Sequence, residues 1–196
     1  MAIIKESIKK LAETFSFSPV LRQSEDIKGM KGKLFMRAYE GGELVYDYAS
    51  PNVIVSSAGI LLARLLKDSS EPSKGISYLA VGTGAIGWDI QNPPAPTIDR
   101  TLLRAELSRK AISPSHTTFV DPITGDPVSN STPTNVVDYS VTFSESEAVG
   151  AIVEMSLFGG DATSAANSGT MVNYRTFPVL NKTNSMTLSV IFRITT

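Results

Sequence analysis

The sequence predicts a mainly β fold, an antiparallel β-sandwich of jelly-roll-like kind with one packed central helix and an amphipathic helix at the amino terminus. Three observations predict it. Short alternating runs bounded by turn residues recur through most of the chain and are densest after Val136. Short antiparallel strands at that spacing pack as two faces around one core. One strongly apolar helix pattern, between Ser56 and Lys67, must then be covered by those strands, because no other element is broad enough to cover it.

Bulk properties narrow the function classes. A chain of 196 residues can fold as one domain and bury about 70% of its unfolded surface. The division expected is an amino-terminal helix and arm over 1–29 and a sandwich domain over 30–196. Cysteine is absent, which removes disulfides, Cys-ligated metals and thiolate chemistry together. With 18 Lys and Arg against 19 Asp and Glu, no global field attracts nucleic acid or an acidic membrane, and neither is expected as a partner. Arg64 interrupts the longest apolar candidate, so no membrane-spanning helix is expected. The amino terminus lacks the apolar core of a signal peptide, which points to synthesis in the cytoplasm.

Taken in order, Ile4, Ile8, Leu11 and Phe15 recur at helical spacing with lysines and glutamates between them, an amphipathic helix. Residues 17–32 follow neither period and hold Pro19, Gly29 and Gly32, so they read as a linker or extended arm. That arm is long enough to carry the helix to a neighbouring subunit, and equally able to return it to its own domain. KLFMRAY and ELVYDYA around Glu40-Gly41-Gly42 form a hairpin signature, with Pro51 ending the second run. Ser56 or Ser57 can cap the helix that follows, and Ile60, Leu61, Leu65 and Leu66 give it a broad face expected in the core. After a polar loop, Ile76 to Val81 is a strand, and the Pro- and Gly-rich residues 84–97 cross the surface as an ordered loop.

Residues 101–112 suit either a strand or a helical turn, and a strand is favoured. Residues 113–134, spaced by four prolines, are the longest irregular segment. Val136–Phe143, Ala148–Phe158, Met171–Leu180 and Met186–Thr195 complete the strands as a meander, with a small-residue loop over 159–169.

No catalytic constellation emerges, and no cofactor or metal is expected. Gly82-Thr83-Gly84-Ala85-Ile86-Gly87 matches G-x-G-x-x-G after a strand. A nucleotide site would need a helix to begin at the third glycine, where Trp88, Asp89 and prolines follow instead, so a glycine-rich corner fits better. His116 is the single histidine and reads as a surface residue. Asp121 and Asp126 fit a β-turn better than a calcium loop. Glu106 with Arg109, and Glu154 within an apolar run, are the carboxylates expected to be part-buried, paired structurally with a cation such as Arg104 or Arg175. Trp88 and the tyrosines Tyr46, Tyr48 and Tyr174 offer rings that can stack on sugars, although strand aromatics are more often core or interface.

Several stretches carry a family resemblance: Asn52-Val-Ile-Val-Ser-Ser-Ala-Gly59, Leu62-Ala-Arg-Leu-Leu66, Ile76-Ser-Tyr-Leu-Ala-Val-Gly-Thr-Gly84 and Glu106-x-x-Arg109. Val153 to Phe158, Gly169-Thr170-Met171, Tyr174 to Phe177, Lys182 and Leu188 to Thr195 continue it in the same order. The set resembles structural proteins of tailed bacteriophages, of the tail fibre, collar or baseplate kind. The resemblance covers residues 52–195 and implies a virion component without catalysis, a homo-oligomer of trimeric or hexamer-related symmetry that docks on other tail proteins. A receptor- or carbohydrate-binding module of a tail fibre is the alternative. The residues expected to make contacts are Ile4, Ile8, Leu11 and Phe15 of the amino-terminal stripe, and Trp88.

Overall fold

The computed structural model describes residues 29–67 and 74–196. Ile4, Ile8, Leu11 and Phe15, and with them the expected amino-terminal helix and arm, lie outside the described residues. Ten strands and one α-helix form within the described part. They are β1 (Lys31–Glu40), β2 (Glu43–Ile54), α1 (Ser56–Lys67), β3 (Ile76–Gly82), β4 (Glu106–Ala111), β5 (Thr117–Phe119), β6 (Val136–Phe143), β7 (Gly150–Gly159), β8 (Thr170–Met171), β9 (Asn173–Lys182) and β10 (Met186–Thr195). A single 3-10 turn, Pro114–His116, precedes β5.

The fold is mainly β and antiparallel. The strands run as one curled sheet in the order β4-β3-β7-β9-β2-β1-β10-β6-β5, with β8 paired to β7 off that path. The β1–β2 hairpin turns on Gly41 and Gly42, whose φ values of 56° and 88° are those of the tight turn that matches strand twist. Pro51 does not end β2, which continues to Ile54 and keeps Pro51 opposite Lys33. Proline is tolerated there because β9 joins the other side of β2 only at Val53 and Ile54. Among the described residues, that two-residue pairing is the one ladder connecting the β1-β2-β10-β6-β5 half of the path with the β4-β3-β7-β9 half.

The closing strands are not a meander. β9 pairs with β7 and β2, while β10 is inserted between β1 and β6. The reason lies in the sides that β1 and β10 present. Leu34, Met36 and Ala38 alternate on β1, and Leu188, Val190, Phe192 and Ile194 on β10, all buried. The register that sets Leu34 opposite Phe192 puts both rows in one apolar cluster. The same cluster takes Leu79 and Val81 from β3 and Ile152, Met155 and Leu157 from β7, so the two halves of the path share a core. In the long segment 113–134 the structure adds the edge strand β5 and a bridge between Val120 and Pro127.

Helix α1 departs from expectation. It buries only Ala58 and Leu61, whereas Ile60 is 62% exposed, Leu66 is 75% exposed, and Leu62 and Leu65 are also exposed. The helix rests on β8, and only the side carrying Ala58 and Leu61 meets the core. The Ser57 hydroxyl ties it there by donating to the Met171 carbonyl at 2.7 Å.

Leu61→Ala should therefore cost about 2 to 5 kcal/mol, as for a well-packed core leucine. Leu66→Ala should change stability by no more than about 0.5 kcal/mol. Denaturant midpoints of the two variants check the contrast, and equal losses would refute the placement of the helix.

Candidate functional site

The chemistry-bearing side chains gather on the outer side of β7. Residues Ile152 to Gly159 are all buried, so this strand is covered on both faces. Met155 and Leu157 point into the main core, and Phe158 into a smaller cluster with Val55, Ala80, Leu103, Met171 and Tyr174. Leu103 belongs to the segment between β3 and β4, which lies over this side of the sheet.

Glu154 sits under that cover with no solvent exposure. The backbone amides of Arg104 (2.8 Å), Ala105 (3.0 Å) and Gly84 (3.3 Å) donate to its Oε1. The Tyr174 hydroxyl donates to its Oε2 at 2.7 Å. A carboxylate buried alone would be very costly, and four donors offset the lost hydration. Burial, and then the bond to Glu154, hold the Tyr174 phenol far above the usual tyrosine range. The expected pairing of Glu154 with a cation is replaced by these contacts: Arg104 contributes its amide, and Arg175 donates to the Tyr48 hydroxyl at 3.1 Å.

The G-x-G-x-x-G glycines serve this arrangement. A Cβ at Gly82 would lie 2.6 Å from Glu154 Oε1 and 2.7 Å from the Ala105 carbonyl. Gly84 has φ 74°, and a Cβ there would lie 2.6 Å from the Trp88 ring. Trp88 is thus half-buried with its indole against the Gly84 backbone, which leaves it a weak stacking platform.

A second network lies beside the first. Arg109 and Glu106 form a bidentate pair (Nε to Oε1 2.6 Å, Nη2 to Oε2 2.8 Å) with side chains only 3% exposed. Arg109 Nη1 donates to the Thr163 and Ser168 carbonyls, and the Asn167 amide donates to Glu106 Oε2 at 2.7 Å. The guanidinium also stands 4.8 Å from the centre of the Phe158 ring. Together these contacts fix the small-residue loop after β7, which has no apolar side chain large enough to anchor it.

At the far end of β9, Lys182 is buried and donates to the carbonyls of Ser144 (2.8 Å) and Glu145 (3.1 Å). Burial pushes its pKa down. Nearby, Glu147 accepts from Lys110 Nζ at 2.6 Å and from the Ser144 amide at 2.7 Å. The Lys110 contact, and then the amide, hold the Glu147 carboxyl at about 2 against a usual 4.5.

No family model matches the chain, and comparison with curated proteins and solved structures likewise gives no match. Function therefore rests on the chain's own geometry. Glu154 and the Glu106–Arg109 pair are sealed and spend their hydrogen-bonding capacity internally, so they hold loops and have no opening through which to meet a substrate. Among the described residues no group of three or more His, Cys, Asp or Glu side chains converges on a metal position, and no helix is long and apolar enough to cross a membrane. His116 is exposed in the 3-10 turn. Asp121 accepts from the amides of Ile123 (2.7 Å) and Thr124 (3.0 Å), as the turn reading of DPITG requires.

Around α1 the surface is apolar. Helix α1 presents Ile60 to solvent on one side, with Leu66 exposed about 120° around the helix from it and next to Leu62. On the other side, Leu62 and Leu65 line a groove of about 320 Å³ with Met30, Phe119, Val137 and Tyr139. Sequence reasoning placed Ile60, Leu65 and Leu66 in the core with Leu61 because helical spacing records a face but not its partner. It also missed Tyr174 as the donor to Glu154, since a strand tyrosine carries no mark of its neighbour two strands of sequence away.

Two outcomes follow. Arg109→Leu, which strands Glu106 as a buried charge, should destabilise the protein by about 3 to 5 kcal/mol, measured by chemical denaturation; a neutral result would remove the pair as an anchor. Glu147 has a depressed folded pKa, so the stability it contributes is full above pH 4.5 and is lost as pH falls through about 2. The stability gap between wild type and Glu147→Gln should accordingly be widest near neutrality and shrink below pH 4.5, by an amount that salt reduces because the pair is part-exposed. A gap independent of pH would contradict the assigned contact.

Proposed function

We propose that this chain is a structural component of a bacteriophage tail, from the neck, fibre-attachment or baseplate region, which acts by protein–protein assembly in the virion. The observation that carries the proposal is the division of chemistry between inside and outside. The buried acids Glu154 and Glu106 are consumed in holding loops, while large apolar side chains are left outward along α1. Large apolar side chains exposed on one helix mark a contact surface more often than a catalytic one. The ordered resemblance over residues 52–195 supports a bacteriophage particle in this reading. In this proposal the subunits associate as a homo-oligomer of trimeric or hexamer-related symmetry around the tail axis, with further tail proteins as neighbours. The apolar cluster shared by both halves of the strand path supports the finer description of the fold as a jelly-roll-like sandwich.

The carbohydrate-binding alternative rests on Trp88, and the seating of its indole against Gly84 gives that alternative little support.

Purified particles should contain the chain in a fixed multiple set by tail symmetry. A double variant, Ile60→Asp with Leu66→Asp, should fold with an unchanged unfolding midpoint yet fail to enter particles. Absence of the wild-type chain from virions, or normal incorporation of the variant, would refute the assembly role of this face.

A further inference from the structure

Strand β2 leaves one of its sides open. We propose that this outer edge takes up, as an added strand, an extended basic segment of another protein, with lysine or arginine beside Glu43 and Asp47 and apolar residues beside Tyr46 and Tyr48. The inference concerns a surface other than α1 and does not depend on which particle the chain belongs to.

The open edge is read from the ladders. Among the described residues, β1 bonds one side of β2 from Glu43 to Asn52, while β9 meets the other side only at Val53 and Ile54. No described loop backbone bonds to the remainder. In an antiparallel pair, alternate amides and carbonyls point away from the neighbour, so β2 presents unpaired groups over about 30 Å. The ladder with β1 skips Val45, and Pro51 has no amide hydrogen, so the uninterrupted part runs from Tyr46 to Ser50. That is a usual strand length of about five residues.

Other edges are guarded. Short strands, cations and prolines are the devices that keep an edge from pairing. Strand β5 has three residues, and the six-residue β4 carries Arg109 and Lys110. Along β9, the Val179 amide donates to the Ile90 carbonyl at 2.8 Å and the Thr176 hydroxyl to the Pro94 carbonyl at 2.7 Å. A segment holding Pro93, Pro94 and Pro96 thus covers that strand. The stretch Tyr46–Ser50 has neither lysine, arginine nor proline, and Leu44 and Val45 beside it are exposed. An edge left in this state is suited to strand addition.

Charge selects the occupant. Glu40 and Glu43 stand opposite one another at the hairpin end of the β1–β2 ladder, an unfavourable like-charge arrangement. Neither forms an ion pair among the described residues. With Asp47, which meets Arg37 at 3.3 Å, the acids at this corner outnumber the base. A second copy offering its own β2 would bring more acid to it. A basic strand supplies the missing cations, and its apolar residues would cover the rings of Tyr46 and Tyr48, which are stacked at 6.3 Å.

The test uses the full-length protein and three synthetic peptides of about nine residues. The first alternates valine with lysine, the second has glutamate for lysine, and the third repeats the first with its central amides N-methylated. Hydrogen exchange of the free protein should show fast exchange at the β2 amides that do not bond β1, and the lysine peptide should slow them at least about tenfold. It should bind about tenfold tighter than either control peptide. Glu43→Lys combined with Asp47→Lys should reverse the preference between the lysine and glutamate peptides. Both positions are exposed, and the exposed Arg37–Asp47 pair contributes little to folding. Equal binding of the three peptides, or unchanged exchange along β2, would overturn the proposal. Edge amides already protected in the monomer would overturn it by assigning the edge to the chain itself. Protection that grows with protein concentration alone would do so by assigning the edge to a second copy.

Discussion

A carboxylate with no access to water organises one side of this molecule. Burying Glu154 as an ion costs several kcal/mol unless donors converge on it, and the local structure can be understood as the supply of those donors. The segment between β3 and β4 brings the amides of Arg104 and Ala105, the end of β3 brings that of Gly84, and β9 brings the Tyr174 hydroxyl. Gly82 is a glycine because the carboxylate and the Ala105 carbonyl occupy the space a side chain would need. A residue that looks catalytic when read alone thus works as a clamp, joining two strands and a long loop.

The Glu106–Arg109 pair and Lys182 repeat the pattern on other loops. In each case a charged group is drawn inward to hold backbone that has little apolar surface of its own: the small-residue loop after β7, and the turn before it. The consequence for function is a sorting of side chains opposite to that of most enzymes, whose charged groups face a cleft. Here the cleft beside α1 is apolar, and Glu154 and the Glu106–Arg109 pair are sealed. Such a surface suits recognition by shape and burial, with small charged clusters reserved for internal order.

The strands were legible in the sequence because period-two alternation depends on neighbouring residues alone. The Gly41-Gly42 hairpin and the span of β6 follow directly from it. Strand order was not legible. Nothing local to Met186–Thr195 says that it pairs with β1 and not with β9, since that choice is made by matching rows of large side chains more than 150 residues apart in sequence. The helix was legible as a helix, yet its environment was misjudged, because Ile60 and Leu66 satisfy helical propensity as well in water as in a core. Glu154 stood out as a lone acid in an apolar run, but its partners are backbone amides, which every residue carries and no sequence pattern advertises.

The position of β10 bears on the order of events during synthesis. It lies between β1 and β6, with Lys31 paired to Thr195 at one end of the ladder. Until Met186–Thr195 has been made, the place between β1 and β6 is unfilled. Before then, β1 and β6 each carry a bare backbone edge beside apolar side chains, the condition under which partly made chains adhere to one another. A protein built this way completes its sheet through contacts of long sequence separation, a slow class of folding. During that interval protection has to come from outside the sheet, for instance from a chaperone that holds the unfinished edges apart.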